Sequence, residues 1–237
     1  MREDVYKRHI ENFDDHWWFE GRKNIIKKIL KKNFTKKIKI LDYGAGSGVN
    51  IEMLSKFGKV DIFEPHKDTA KYLKKKFINK KFKVLKKVSN KKNYDLIILA
   101  DVLEHIKNDK KKIKELSLKL KKNGKILITV PAYKFLFTKK DTILGHYRRY
   151  RINEIKNIFL DFNIKKLSYF NSILFLPISI CLIIYKILKT DFIDSVEKKP
   201  NYLLNTILFS IFNFESNIIN IINFPFGISI IGFFEKK

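Results

Sequence analysis

Apolar positions along the chain change their period several times, and these changes mark out strands and helices before any residue chemistry is considered. Short apolar runs at 37–43, 59–64, 82–85, 94–100 and 125–130 read as five strands. The fourth, YDLIILA, is nearly unbroken, as in a strand covered on both faces. Stretches at 47–57, 66–78 and 109–120 carry the helical period; Pro65 opens the second, and Asn123-Gly124 ends the third. Residues 1–34 also read as helical, with Trp18, Ile25, Ile26, Ile29 and Leu30 on one stripe and Asp14 or Asp15 as the N-cap of the second part. Strand-helix alternation in this order predicts an α/β fold, a doubly wound parallel sheet with helices on both sides. Two further strands are expected at 164–169 and 227–234, with apolar helices near 173–188 and 202–214 between them.

The loop that follows the first strand, Ile40-Leu41-Asp42-Tyr43-Gly44-Ala45-Gly46-Ser47-Gly48, is the most informative stretch. Three alternating glycines between a strand and a helix leave the backbone open to close approach by a nucleotide-like ligand. The dinucleotide fingerprint wants its third glycine three residues after the second, where this chain has Val49. No Gly-Lys-Ser/Thr follows, which argues against a phosphate-cradling P-loop. Glu64 ends the second strand twenty residues past Gly44, the spacing of a carboxylate that grips a ribose.

Composition changes this picture little. At 237 residues the chain suits one cored domain with an appendage, and its single cysteine, Cys181, excludes an intrachain disulfide. The first residues lack an apolar leader segment, so no cleaved secretory signal is expected. The formal charge of +26 comes mainly from lysine pairs scattered along every segment, which reads as a solvated surface with a secondary attraction to membranes. Nucleic acid is not the expected partner, because no aromatic or glycine motif of an RNA-binding module accompanies the charge. Only six arginines occur, and Arg148, Arg149 and Arg151 are three of them.

Ligands of such sheets gather at the carboxyl ends of the strands. There the chain delivers Ala100, Asp101, Glu104 and His105 after strand four, and Tyr133 after strand five. His105 reads either as a base, with Asp101 orienting it or the acceptor, or as a helix-start residue tied to backbone. The long segment beyond strand five brings His146, Arg148, Arg149 and Tyr150, which either line an acceptor pocket or clamp the loop through Tyr147 and Tyr150. Trp17, Trp18 and Arg22 form either a packing cap or a lid over the site; adjacent tryptophans are not expected to share one core face.

Taken together, HWWFEGRK, ILDYGAGSG, DIFEP, YDLIILADVLEH, NGKILITVPAY and GHYRRY resemble class I S-adenosylmethionine (SAM)-dependent methyltransferases, a bacterial subgroup often associated with envelope and glycan genes. The resemblance implies a seven-stranded Rossmann-like sheet with an antiparallel last strand, and SAM as cofactor. It implies cofactor contacts from Asp42, Gly44, Ala45, Gly46, Gly48, Glu64, Pro65, Ala100 and Asp101. Asp101, His105 and His146 are then the catalytic candidates, and Trp17, Arg22, Tyr133, His146, Arg148, Arg149 and Tyr150 the substrate-binding ones. Lys86, Lys87 and Val88 stand where the family usually has an acidic or small polar residue near the adenine. Asp101, Glu104 and His105 also resemble a metal-holding segment of some relatives, but no metal is the expectation.

The expected organisation is an N-terminal helical lid at 1–36, a SAM-binding core at 37–169, an apolar helical insert at 170–224 and a final core strand at 225–237. Leu167 to Tyr185 and Ser216 to Phe234 each run nineteen residues without a charge, but Pro177 and Pro225 interrupt them. The insert reads as a hairpin on the inner face of the cytoplasmic membrane or as a homodimer interface. The expected activity is methyl transfer to an oxygen, nitrogen or carboxylate of a small or lipid-linked substrate, in the cytoplasm or at its membrane. An RNA methyltransferase and a non-catalytic SAM-binding scaffold are the alternatives.

Overall fold

The computed structural model describes residues 15–78, 82–91, 93–188 and 199–237. Seven strands form one sheet: β1 Ile38–Tyr43, β2 Gly58–Phe63, β3 Lys83–Leu85, β4 Tyr94–Ala100, β5 Leu120–Pro131, β6 Phe162–Phe170 and β7 Ser229–Lys236. Their order is β3-β2-β1-β4-β5-β7-β6, and β7 is antiparallel to both of its neighbours. The doubly wound α/β architecture with a reversed last strand is therefore present as the sequence pattern implied. Inside β4 the pleat sends Leu96 and Ile98 into one core layer and Ile97 and Leu99 into the other. All four are fully buried, as expected for a strand covered on both faces.

On one face lie α1 Trp17–Asn33, α2 Ile51–Ser55 and α3 Lys67–Lys76, and on the other α4 Asp109–Ser117. The short α5 Lys139–Leu144 and α6 Ile152–Ile158 follow β5, with α6 on the second face. Between β6 and β7 the chain leaves the sheet for α7 Phe175–Leu188 and α8 Tyr202–Ile218. Residues 1–14 of the expected lid, and 189–198 of the insert, lie outside the described residues.

Several boundaries differ from the sequence pattern for local reasons. The N-cap of α1 is His16, whose Nδ1 accepts the Trp18 amide, and Asp15 instead takes a left-handed φ of 62°. Asp14 is not described. His66 likewise caps α3 through Nδ1, so Pro65 precedes the helix rather than opening it. The glycine loop runs on to Asn50, which shortens α2. β5 begins at Leu120, five residues early, because Asn123 takes φ 58° within a bulged pairing with β4 instead of ending α4.

Both tryptophans reach the same neighbour, contrary to the expectation for adjacent helical residues. The ring centroids of Trp17 and Trp18 lie 5.9 and 5.5 Å from that of Phe212 on α8, and Trp18 stacks on Phe170. Gly21 permits this approach: a Cβ there would meet the Phe212 ring at 2.2 Å. Gly21→Val should therefore lower unfolding free energy by about 1–3 kcal/mol in urea titration, the usual cost of overpacking a filled core.

Candidate active site

Parallel pairing of β1 with β2 and β4 sets the loops after these strands along one edge. At the end of β1 stands Asp42, 1 % exposed, with its Oδ2 lacking any partner. Burial pushes its carboxyl up to about 7, against the opposing charge of Arg22 and with the added repulsion of Glu64. Glu64, after β2, accepts the Gly46 amide on Oε2 and the His66 amide on Oε1, both at 2.9 Å. Its carboxyl is raised by burial, although those two backbone donors pull the other way.

The loop between these acids is shaped by left-handed glycines. Gly44 has φ +75°, and a Cβ would sit 2.8 Å from the Val102 side chain. At Gly46, φ is +56° and nothing lies within 4 Å of where a Cβ would be, so the backbone there faces open space. Ser47 Oγ and Asn50 Oδ1 are also buried without partners. Buried acceptors beside an open, side-chain-free backbone fit an adenosyl cofactor. Ala45 is nearly buried beneath the loop, Ala100 is half-buried at the end of β4, and Pro65 is exposed. After β3, Lys86 and Lys87 are exposed and Val88 is buried in the core.

After β4 the chain turns through Asp101 at φ 55°, a left-handed conformation that a non-glycine residue holds at a cost of about 1–2 kcal/mol. Its carboxylate accepts from Arg22 and, at 2.8 Å, from the Thr129 hydroxyl on β5. Arg22 is buried, so α1 places a guanidinium whose charge acts on Asp42, Asp101 and Glu104. Glu104 follows in a 3-10 turn, Leu103–His105, with both carboxylate oxygens buried and unpartnered. Burial, aided by Asp101, holds that carboxyl well above the usual range.

His105 packs edge-on against His146, with ring centroids 4.6 Å apart. Burial, then the neighbouring His146, lowers His105 to about 4 and keeps it neutral. His146 Nδ1 lies 2.9 Å from Asp141 Oδ1. Burial alone would raise the Asp141 carboxyl, but hydrogen bonds from His146 and Arg149 and the charge of Arg149 hold it well below its usual value. With Nδ1 committed to Asp141, Nε2 is the ring nitrogen left for other work.

Two of the three clustered arginines, Arg148 and Arg149, turn onto acids of the protein, and Arg151 is exposed. Arg149 forks onto Asp141 at 2.8 and 3.0 Å, and Arg148 pairs with Asp109 at 3.0 Å and the Lys107 carbonyl at 2.6 Å. Tyr150 is buried and donates to Asp109 or the Leu103 carbonyl. These contacts correspond to the clamp reading of the segment, with Tyr150 rather than the exposed Tyr147 as its anchor. The donors of Arg148, Arg149 and Tyr150 are engaged by Asp109 and Asp141. Trp17 packs on Phe212, and its amide donates to Asn205 of α8. Tyr133, at φ 60°, stacks on Tyr169 and leans on Phe175, the first residue of α7.

Sequence reading missed Asp141 and Thr129. Asp141 was legible as the last residue of Thr138-Lys139-Lys140-Asp141, a capping-box spacing that the structure forms in full. Thr129 carries no local signal; only strand pairing with Ala100 brings it beside Asp101.

A glycine cradle between two buried acids, on a sheet of order 3-2-1-4-5-7-6, defines a class I SAM-dependent methyltransferase. The chain belongs to the family described as Methyltransferase domain, whose model matches residues 15–169. It is an enzyme of that type, with SAM as its cofactor. It is 29% identical to a ubiquinone biosynthesis O-methyltransferase of Pelagibacter ubique over 59% of this chain and 73% of that protein. A protein of the same name from Rickettsia prowazekii is 27% identical over 68% of this chain and 79% of the relative. Among solved structures, the plantazolicin methyltransferase BpumL in complex with SAH matches with a TM-score of 0.61 and 14% identity, covering 99% of this chain and 90% of that one. A SAM-dependent methyltransferase from Aquifex aeolicus matches with a TM-score of 0.52 and 20% identity over 71% of this chain and 93% of that one. At these identities the two structures speak to the fold alone.

The raised Asp42 carboxyl has a measurable sign. Its folded value of about 7 exceeds the ordinary 3.8, so the folded state loses stability as pH rises between those values. Asp42→Asn should then be more stable than the parent at pH 8, by up to about 4 kcal/mol, and the gap should close near pH 4. Urea unfolding of both proteins at the two pH values checks it.

Proposed function

We propose that this enzyme methylates a hydroxyl group on a small acceptor with an apolar, lipid-like portion. The observation that carries the reading is the Asp141-His146-His105 cluster beside Asp101, an oriented imidazole where the acceptor approaches. The names of the sequence relatives, O-methyltransferases of ubiquinone biosynthesis, support oxygen over nitrogen as the methylated atom. Bound SAM supplies a methyl group on a positively charged sulfur. The protein must align the acceptor oxygen and remove its proton.

Asp42, the Gly44–Gly48 backbone and Glu64 hold the cofactor, and Asp101, fixed by Arg22 and Thr129, positions the reacting partners. His146 is the base: Asp141 fixes its tautomer and stabilises the imidazolium formed when Nε2 takes the hydroxyl proton. His105, held neutral, forms the wall that keeps the ring in place. Tyr133 borders the acceptor side, at the foot of the apolar insert.

A second reading has its own observation. Ligand atoms of Glu104, His105 and His146 all lie within 4.8 Å of one another, and the Glu104 oxygens have no other partner. A carboxylate with two imidazoles is a donor set for a divalent cation, which would acidify the acceptor hydroxyl directly. Asp101 is not part of that set, because Arg22 and Thr129 occupy its carboxylate.

Incubation with labelled SAM and a panel of phenolic and aliphatic alcohols, with amines and RNA as controls, tests the acceptor class. Methylation of RNA or amines alone overturns the proposal. His146→Ala should lower kcat by about 10²–10⁴-fold while SAH affinity measured calorimetrically stays within error. Loss of activity in chelator, restored by a divalent ion, would select the metal reading; full activity in chelator selects the base.

A further inference from the structure

The helix α7 is apolar on both of its faces. Its inward side carries Phe175, Ile178, Ser179 and Leu182, and Ser179 is the one of these buried most deeply. Its outward side carries Leu176, Ile180, Ile183, Ile184, Ile187 and Leu188, recurring every three to four residues, and all are exposed. Ile187 is 70 % exposed and Leu176 is 66 % exposed. A helix apolar all round needs an apolar medium on its second side. At fourteen residues it is about 21 Å long, too short for a roughly 30 Å hydrocarbon core. No helix among the described residues is long and apolar enough to cross a membrane.

Charge identifies what covers this face. From Ser172 to Leu188 the chain has no acid; Asp191, Asp194 and Glu197 lie outside the described residues, and Glu215 of α8 is buried and accepts the Ser172 amide at 2.7 Å. Cations border the helix instead. Lys186, on the helix itself, reaches the Phe135 carbonyl, and Lys134 adjoins that residue in the chain. A second copy docked about a twofold axis would present the same basic patch, adding like charge to the contact rather than removing it. An anionic surface would neutralise these lysines while receiving the isoleucines.

We propose that the outward face of α7, flanked by these lysines, docks on an anionic lipid bilayer, the helix lying in the headgroup boundary. The docking itself stands apart from the proposed acceptor. If that reading also holds, the contact of Phe175 with Tyr133 sets the acceptor side of the site beside the lipid, so that an amphiphilic acceptor enters without crossing water.

Cys181, the single cysteine of the chain, is exposed on α7 and serves as a reporter. The full chain, labelled there with a polarity-sensitive dye, is mixed with vesicles of phosphatidylcholine alone or of phosphatidylcholine with phosphatidylglycerol. Sedimentation with the anionic vesicles and a blue shift of the dye are expected, weakened by salt. The double variant Ile183→Glu/Ile187→Glu should lower partitioning at least about tenfold while SAH affinity is kept. Three results would overturn the proposal: no partitioning, partitioning with the dye still in water, or a dimer on gel filtration that the double variant dissolves without any vesicle binding. Vesicle binding by a protein that methylates no hydroxyl would count only against the proposed acceptor.

Discussion

Parallel pairing of β1 with both β2 and β4 is the constraint on which the site depends. Asp42 lies opposite Ile62 and Ile98, so the residues just beyond these partners, Glu64 and Asp101, are carried to the same edge by backbone hydrogen bonds alone. A slip of one residue would send Asp42 to the other face of the sheet and put an apolar neighbour in its place. Register here is held where the buried run Leu96-Ile97-Ile98-Leu99 meets its polar ends: a slip would draw Asp101 toward the core or pull Tyr94 off Asp61. The chemistry of the edge is thus set by hydrophobic packing some distance below it.

Gathering acids at one buried edge has an electrostatic cost. Asp42, Glu64 and Glu104 are all driven toward their neutral forms by burial, and Asp101 adds to the strain on Glu104. Arg22 answers this from α1, far away in sequence, by pairing with Asp101 and opposing the shifts of Asp42 and Glu104. A second group, Asp141 with Arg149 and His146, is satisfied to the point that its carboxyl is acidic rather than raised. Two neighbouring carboxylate sites therefore differ in protonation tendency because one has a bidentate guanidinium and the other shares one at a distance.

Most of the sheet could be read from the sequence, since period and strand-end chemistry are local properties. YDLIILA gave β4 to the residue, and the alternation of glycines located the cradle. What could not be read was what long-range packing decides. Adjacent Trp17 and Trp18 meet one ring because α8 lies across α1 at Gly21, which no periodicity reveals. The arginines of GHYRRY look like ligand-seeking groups until Asp109 and Asp141 are seen beside them. Helix caps were misplaced where histidine, a less common cap than aspartate, took the position at His16 and His66.

Gly21 and Arg22 are consecutive, yet they belong to different worlds. The first lies against Phe212 in the excursion between β6 and β7; the second holds the carboxylate at the tip of β4. A single peptide unit, stiffened by the helix around it, therefore joins α8 to the chemical centre. The packing of α8 and the placing of the Asp101 carboxylate thus rest on one and the same turn of α1.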